Sequence, residues 1–203
     1  MRLGLFGGSF DPPHHGHLLA ASDAFEALGL DAVVWIPAAQ QPLKLGRVAA
    51  SAGDRLAMVA AAVEGDPRFR VDALEVERAG VSFTVDTVEA YRQRHPEAAL
   101  FLLLGADVVA TFARWRSPAR IAALARVVIL QRAVEGGPAD PAGVAGAMRA
   151  VTGAAAGEPV VLPTRRVDIS STEIRERVRG QRSLHGFVPD RVARVIHERA
   201  LYR

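Results

Sequence analysis

The chain has 203 residues, half of them hydrophobic, with 25 basic against 22 acidic side chains, a formal net charge of +3 and no cysteine. That content supplies a full buried core and fits one domain, residues 1–203, better than two. It excludes a disulfide framework, and no apolar run approaches the roughly 18 to 20 residues of a membrane span, so with no charged-then-apolar leader a cytoplasmic protein is expected.

Leu3 to Phe6 has the length and bulk of a buried strand, and the apolar periodicity from Leu18 to Leu28 predicts a helix. Between them lies Gly7-Gly8-Ser9-Phe10-Asp11-Pro12-Pro13-His14-His15-Gly16-His17. Gly7 and Gly8 permit backbone angles closed to other residues. A turn that opens a helix offers unpaired N–H groups and the positive end of the peptide dipole, which suits a phosphate. His14 and His17 stand three apart, where two imidazoles can donate to one phosphate, and Gly16 between them lets a ligand come close. A purely structural corner and a three-histidine metal site are the competing readings. Neither a cysteine nor an HExxH pattern is present to complete a zinc site, and the turn is neither GxGxxG nor GxxxxGK[ST].

Val33 to Ile36 reads as the next strand, and the loop after it carries Lys44, the only lysine in the chain beside 24 arginines. A compact ammonium on a flexible stem can follow a phosphoryl group as its charge shifts; a solvated surface lysine is the competing reading. Further along, strands are expected at Phe69 to Leu74, Leu100 to Leu104, Val127 to Leu130 and Val160 to Leu162, with helices at Ala52 to Val63, Val85 to Arg94 and Ser117 to Ala125. The Ala-, Gly- and Pro-rich stretch from Ala133 to Gly157 takes no assigned role. Ser170 and Glu173 fit a capping box, so the N–H groups of Ser171 and Thr172 would point out of a helix start, with Arg175 one turn along the face of Ser171. Helices at Ser171 to Arg179 and Pro189 to Ala200 close the chain.

Strands alternating with helices predict an α/β fold, a Rossmann-like doubly wound parallel sheet over about residues 1–165, with a small C-terminal helical extension over about 166–203. Ligands of such sheets bind at the carboxyl edge, where the first turn and Gly105-Ala106-Asp107 both fall. The basic cluster of Arg165, Arg166, Arg175, Arg177, Arg179 and Arg182 reads as part phosphate site, part solvated helix face, rather than as a nucleic-acid surface.

Gly8 to His17 resembles the GxFDPxHxGH signature of the nucleotidyltransferase superfamily, and Ile169 to Arg175 resembles its ISSTxxR signature. Together, in a chain of this length, they resemble the bacterial nicotinate-nucleotide adenylyltransferases. The resemblance implies ATP and nicotinate mononucleotide as substrates, Mg2+ bound through the ATP phosphates, and no nucleic-acid or membrane partner. It implies that His14 and His17 contact the ATP phosphates within a turn made of Gly7, Gly8, Ser9, Phe10 and Gly16. Ser170, Ser171, Thr172 and Arg175 resemble the C-terminal phosphate cradle, and Lys44 the family lysine at the reacting phosphates. Gly105 and Asp107 resemble the element near the ATP ribose, Thr84 the position whose main chain helps read the pyridine substituent, and Trp115 the ring that stacks on nicotinate. From the residues alone Trp115 reads equally well as a core aromatic. Leu43, Phe83 and His15 depart from the family's frequent histidine, tyrosine and asparagine, and none of the three removes a motif residue. The choice between acid and amide on the ring, and the oligomeric state, a homo-oligomer included, stay open at this level.

Overall fold

The computed structural model describes residues 1–42, 49–132, 140–153 and 157–203. Strand β1 (Arg2–Gly8) is followed by α1 (His15–Leu28), β2 (Ala32–Pro37), α2 (Ala52–Val63) and β3 (Phe69–Val71). Helices α3 (Leu74–Arg78) and α4 (Thr84–Arg94) lead to β4 (Ala99–Gly105). A 3-10 turn (Ala106–Val108), α5 (Val109–Phe112) and α6 (Pro118–Leu124) then precede β5 (Arg126–Arg132). The last elements are α7 (Pro141–Thr152), β6 (Val160–Thr164), α8 (Ser171–Arg179) and α9 (Asp190–Glu198).

Among the described residues six strands pair in parallel in the order β3-β2-β1-β4-β5-β6. The chain winds outward from β1 to β3, then returns to β4 on the other side of β1. The two windings diverge between β1 and β4, which leaves a crevice beyond their carboxyl ends. A sheet covered on both faces needs strands apolar on both, and β2 is buried along its whole length.

Side chains alternate between two cores. Leu3, Leu5, Val34, Ile36, Leu102 and Leu104 face α4 and α6, packing with Val85, Val88, Tyr91 and Ile121. Phe6, Val33, Trp35, Leu103 and Val128 face α1 and α2, against Ala21, Ala24, Val59 and Val63. A third cluster joins α8 and α9 to α2 through Met58, Ile174, Val192, Ile196 and Tyr202. None of the helices described is long and apolar enough to cross a membrane.

The element pattern follows the sequence reading with two corrections. Strand β3 stops at Val71 instead of reaching Leu74, because the Asp72 carboxylate accepts from the Leu74 amide at 2.8 Å and opens α3. Helix α7 occupies much of the stretch left without a role. Its start is set by Asp140, whose side chain accepts from Gly143 N, followed by a proline at the first helical position.

Candidate active site

The first turn stands on an aromatic base. Trp35 is fully buried, with Phe6 and Phe10 at ring distances of 4.9 and 5.2 Å, and the His17 ring meets the Phe10 ring edge-on at 5.3 Å. Neither Gly7 nor Gly8 adopts a positive φ, contrary to the sequence expectation; the residue in the left-handed region is Phe10, at φ 48°. Gly8 is required for space, since a Cβ there would lie 2.9 Å from Phe10 Cζ. Gly16 serves a similar purpose. A Cβ on it would stand 3.0 Å from two atoms of the His14 ring, so the room goes to the imidazole as much as to a ligand.

His14 caps α1, and its own N–H donates to His17 Nδ1 at 3.2 Å. A neutral His17 must then carry its proton on Nε2. The two rings lie 3.8 Å apart, close enough for one anion to meet both. The helix dipole at this end adds positive potential.

The second signature reaches the first across the fold. Ser170 Oγ accepts from Glu173 N at 3.1 Å, but the reciprocal bond of a full capping box does not form. Ser171 Oγ donates to Pro12 O at 2.8 Å, and Arg175 Nη1 donates to Asp11 O at 2.8 Å. Arg175 Nη2 donates to Thr172 Oγ1 at 3.2 Å, so three of the five guanidinium N–H groups remain for an anion. The expected phosphate groups of both ends of the chain therefore meet at one turn.

Four residues outside the expected set, Asp11, Tyr202, Arg55 and Ser82, hold this junction. Asp11 is buried, and its carboxylate accepts from Ala49 N at 2.8 Å, Ala50 N at 3.1 Å and Tyr202 Oη at 2.8 Å, with Arg175 Nη1 at 3.8 Å. Burial and this carboxylate push the Tyr202 hydroxyl well above the ordinary tyrosine value. Arg55, only 2% exposed, donates to Ser9 O, Ala39 O and Ala50 O. Burial pulls its guanidinium down from the ordinary value while the Asp11 charge pulls it back up. Ser82 accepts from Ala39 N and donates its own N–H to Gln40 O. The chain before residue 43 and after residue 48 is thereby tied to the turn; Lys44 and Leu43 lie outside the described residues. Arg55 had a readable signal, a charge in helical register with the buried Met58 and Val59. Tyr202 had none beyond its place near the chain end.

Beside the turn a cavity of about 370 Å3 fills the crevice beyond β1 and β4. Gly7, Gly8, Gly105 and Asp107 line it from the strand ends, and Thr84 and Trp115 line it as well. Trp115 is half-buried and packs on Phe112 at 5.1 Å, so it belongs to the core edge and to the cavity at once. Glu75 also lines the cavity; burial pushes its carboxyl up, opposed by hydrogen bonds from Thr87 and Ser82. The basic cluster is partly neutralised, with Arg165 on Asp23, Arg166 on Asp168 and Arg177 stacked on Phe187.

A parallel sheet with a histidine-bearing turn at one helix start, a second helix start reaching it, and a cavity at the switch point is the arrangement of a nucleotidyltransferase. The family described as Cytidylyltransferase-like matches residues 5–177. A Gemmatimonas aurantiaca protein named "Probable nicotinate-nucleotide adenylyltransferase" is 54% identical over 100% of this chain and 93% of its own length. A Salinibacter ruber protein of the same name is 42% identical over 100% of this chain and 98% of its own. The chain belongs to the nicotinate-nucleotide adenylyltransferase family. The fold is similar to that of Plasmodium falciparum nicotinic acid mononucleotide adenylyltransferase complexed with NaAD. That structure has TM-score 0.77 and 15% identity, covering 99% of this chain and 97% of the other.

Proposed function

We propose that this chain transfers the adenylyl group of ATP to nicotinate mononucleotide, giving nicotinate adenine dinucleotide and pyrophosphate. An oxygen of the mononucleotide phosphate attacks the α-phosphorus in line, and the bond from that phosphorus to the α–β bridging oxygen of ATP breaks, that oxygen leaving with pyrophosphate. The attacking phosphate is already an anion, so no protein nucleophile or base is needed. The work is to bring two polyanions together and to absorb charge as it moves onto the leaving group.

In this reading His14 and His17 hold the triphosphate at the start of α1, with Ser170, Ser171, Thr172 and Arg175 gripping it from α8. Lys44 follows the reacting phosphates, from a stretch of chain tied down before and after it. Gly105 and Asp107 meet the ribose of ATP, while Thr84 and Trp115 receive the pyridine ring. Mg2+ enters with the nucleotide as Mg·ATP. Among the described residues no group of three carboxylate or imidazole side chains is placed to hold a metal, and magnesium commonly binds through substrate phosphates and its own waters. The reading takes residues 1–203 as one domain, acting in the cytoplasm, with no nucleic-acid partner.

The observation that carries it is the junction itself: Arg175 and Ser171 bond the main chain of Asp11 and Pro12, three and two residues before His14, with the cavity alongside. Incubation with Mg·ATP and nicotinate mononucleotide, read by mass spectrometry, should yield the dinucleotide and one pyrophosphate per turnover. Unchanged substrates under those conditions would refute the reading.

A further inference from the structure

We propose that Arg116 is a specificity-determining residue of the cavity, favouring a mononucleotide whose ring substituent is a carboxylate over one whose substituent is neutral. The inference rests on the function proposed above and concerns the pyridine end of the same cavity.

Four ionisable side chains line the cavity, Glu75, Asp107, Arg114 and Arg116. Glu75 is buried and receives the Thr87 hydroxyl at 2.6 Å, so it is occupied within the protein. Asp107 folds back over Gly105, its Oδ1 lying 2.5 Å from where a Cβ on that glycine would be. Arg116 differs from both. Its guanidinium sits over the face of Phe83, with Cζ 4.9 Å from the ring centroid.

Phe83 is the residue that starts α4. Its carbonyl accepts from the Asp86 and Thr87 amides, whereas the first amides of the helix, at Thr84 and Val85, have no acceptor within the helix. The aromatic seat thus fixes a cation next to the positive end of α4, at the wall where Thr84 lines the cavity. No carboxylate among the described residues lies within ion-pair distance of Arg116, so its charge is not spent inside the protein.

A carboxylate on the ring would gain from both positive features, and a carboxamide from neither charge. The pyridinium charge and the phosphate are common to both mononucleotides, so they cancel when the two are compared. The preference read as a ratio of kcat/KM values therefore reports on the substituent alone. Trp115, directly before Arg116, would hold the ring itself, and its loss would lower both substrates together.

The test is kcat/KM for nicotinate and nicotinamide mononucleotides with the parent protein, Arg116→Gln, Arg114→Gln and Phe83→Leu. Arg116 is exposed, so its variant is expected to fold. Arg116→Gln should lower kcat/KM for the acid about fivefold, the worth of an exposed ion pair near 1 kcal/mol, and leave the amide within about twofold. The loss should lie in KM for the mononucleotide, with KM for ATP unchanged. Phe83→Leu, which removes the seat but keeps the charge, should shift the ratio the same way by less. Arg114→Gln removes another cavity cation and should leave the ratio where it was. Acid and amide falling together in Arg116→Gln, or a ratio moved equally by Arg114→Gln, would overturn the inference alone. A parent protein that forms no dinucleotide from either substrate would overturn the proposed function and this inference with it.

Discussion

Asp11 offers the sharpest test of how the site is held. Its carboxylate accepts from two backbone amides and from the Tyr202 hydroxyl, and it stands 3.8 Å from Arg175 Nη1. In Asp11→Ala those three donors lose their acceptor in a buried place. Each stranded donor costs about 1–3 kcal/mol, so the total should be about 3–9 kcal/mol, a large part of the roughly 5–15 kcal/mol that keeps a domain folded. Tyr202→Phe removes one donor, keeps the ring in the α9 cluster, and should cost only about 1 kcal/mol. Once Asp11 is gone, the Tyr202 hydroxyl keeps only a weak sulfur acceptor, Met58 Sδ at 3.8 Å, so adding Tyr202→Phe to Asp11→Ala should cost little. Urea titration of the four proteins measures this, with unchanged slope and a coupling of about 1 kcal/mol. Should Asp11→Ala not fold, Asp11→Asn against Tyr202→Phe gives the same cycle with one acceptor retained. Strict additivity, or an Asp11→Ala cost below about 1 kcal/mol, would refute the reasoning.

Three other outcomes follow from the same geometry. His17→Ala should lower kcat by about a hundredfold or more, the scale for losing one preorganised charge stabiliser, as read in a steady-state pyrophosphate assay; near-normal kcat would remove His17 from the chemistry. Glu75→Gln should lower KM for the anionic mononucleotide. Because burial raises the Glu75 carboxyl, folding penalises its ionised form, so the variant should be more stable than the parent at neutral pH. That gain should vanish as pH falls through the folded glutamate's range, and a constant loss across pH would contradict it. Tyr91 and Tyr202 are both raised from the ordinary 10.0, by burial first and by Asp72 and Asp11 second. A raised value means the stability is fully present below about 10 and is lost as pH rises toward the folded values. The urea midpoint should hold from neutral pH to about 10 and then fall, less steeply in Tyr202→Phe.

What could be read in the sequence was local. The strand, turn and helix of residues 2–28 and the cap of α8 depend on neighbours in the chain, and both form where the residues place them. Asp140-Pro141 was an equally local signal, an N-cap followed by proline, masked by the Ala- and Gly-rich composition around it. Gly8 was legible as a glycine but for the wrong reason, because its partner is the ring of Phe10 and not its own torsion angles. The contacts that hold the junction were not legible. Tyr202 reaches Asp11 across 191 residues, and Arg175 reaches it across 164, distances at which no periodicity carries information. Likewise, the seat of Arg116 on Phe83 needs the fold to bring the start of α4 beside the chain that precedes α6.

The central claim is adenylyl transfer to nicotinate mononucleotide, and pyrophosphate release from Mg·ATP tests it most directly. With nicotinate and nicotinamide mononucleotides offered separately, the acid should be preferred in kcat/KM by about a hundredfold or more, since a pocket built for a charged group is left unpaired by the neutral one. Release with neither mononucleotide, or a preference for the amide, would contradict it.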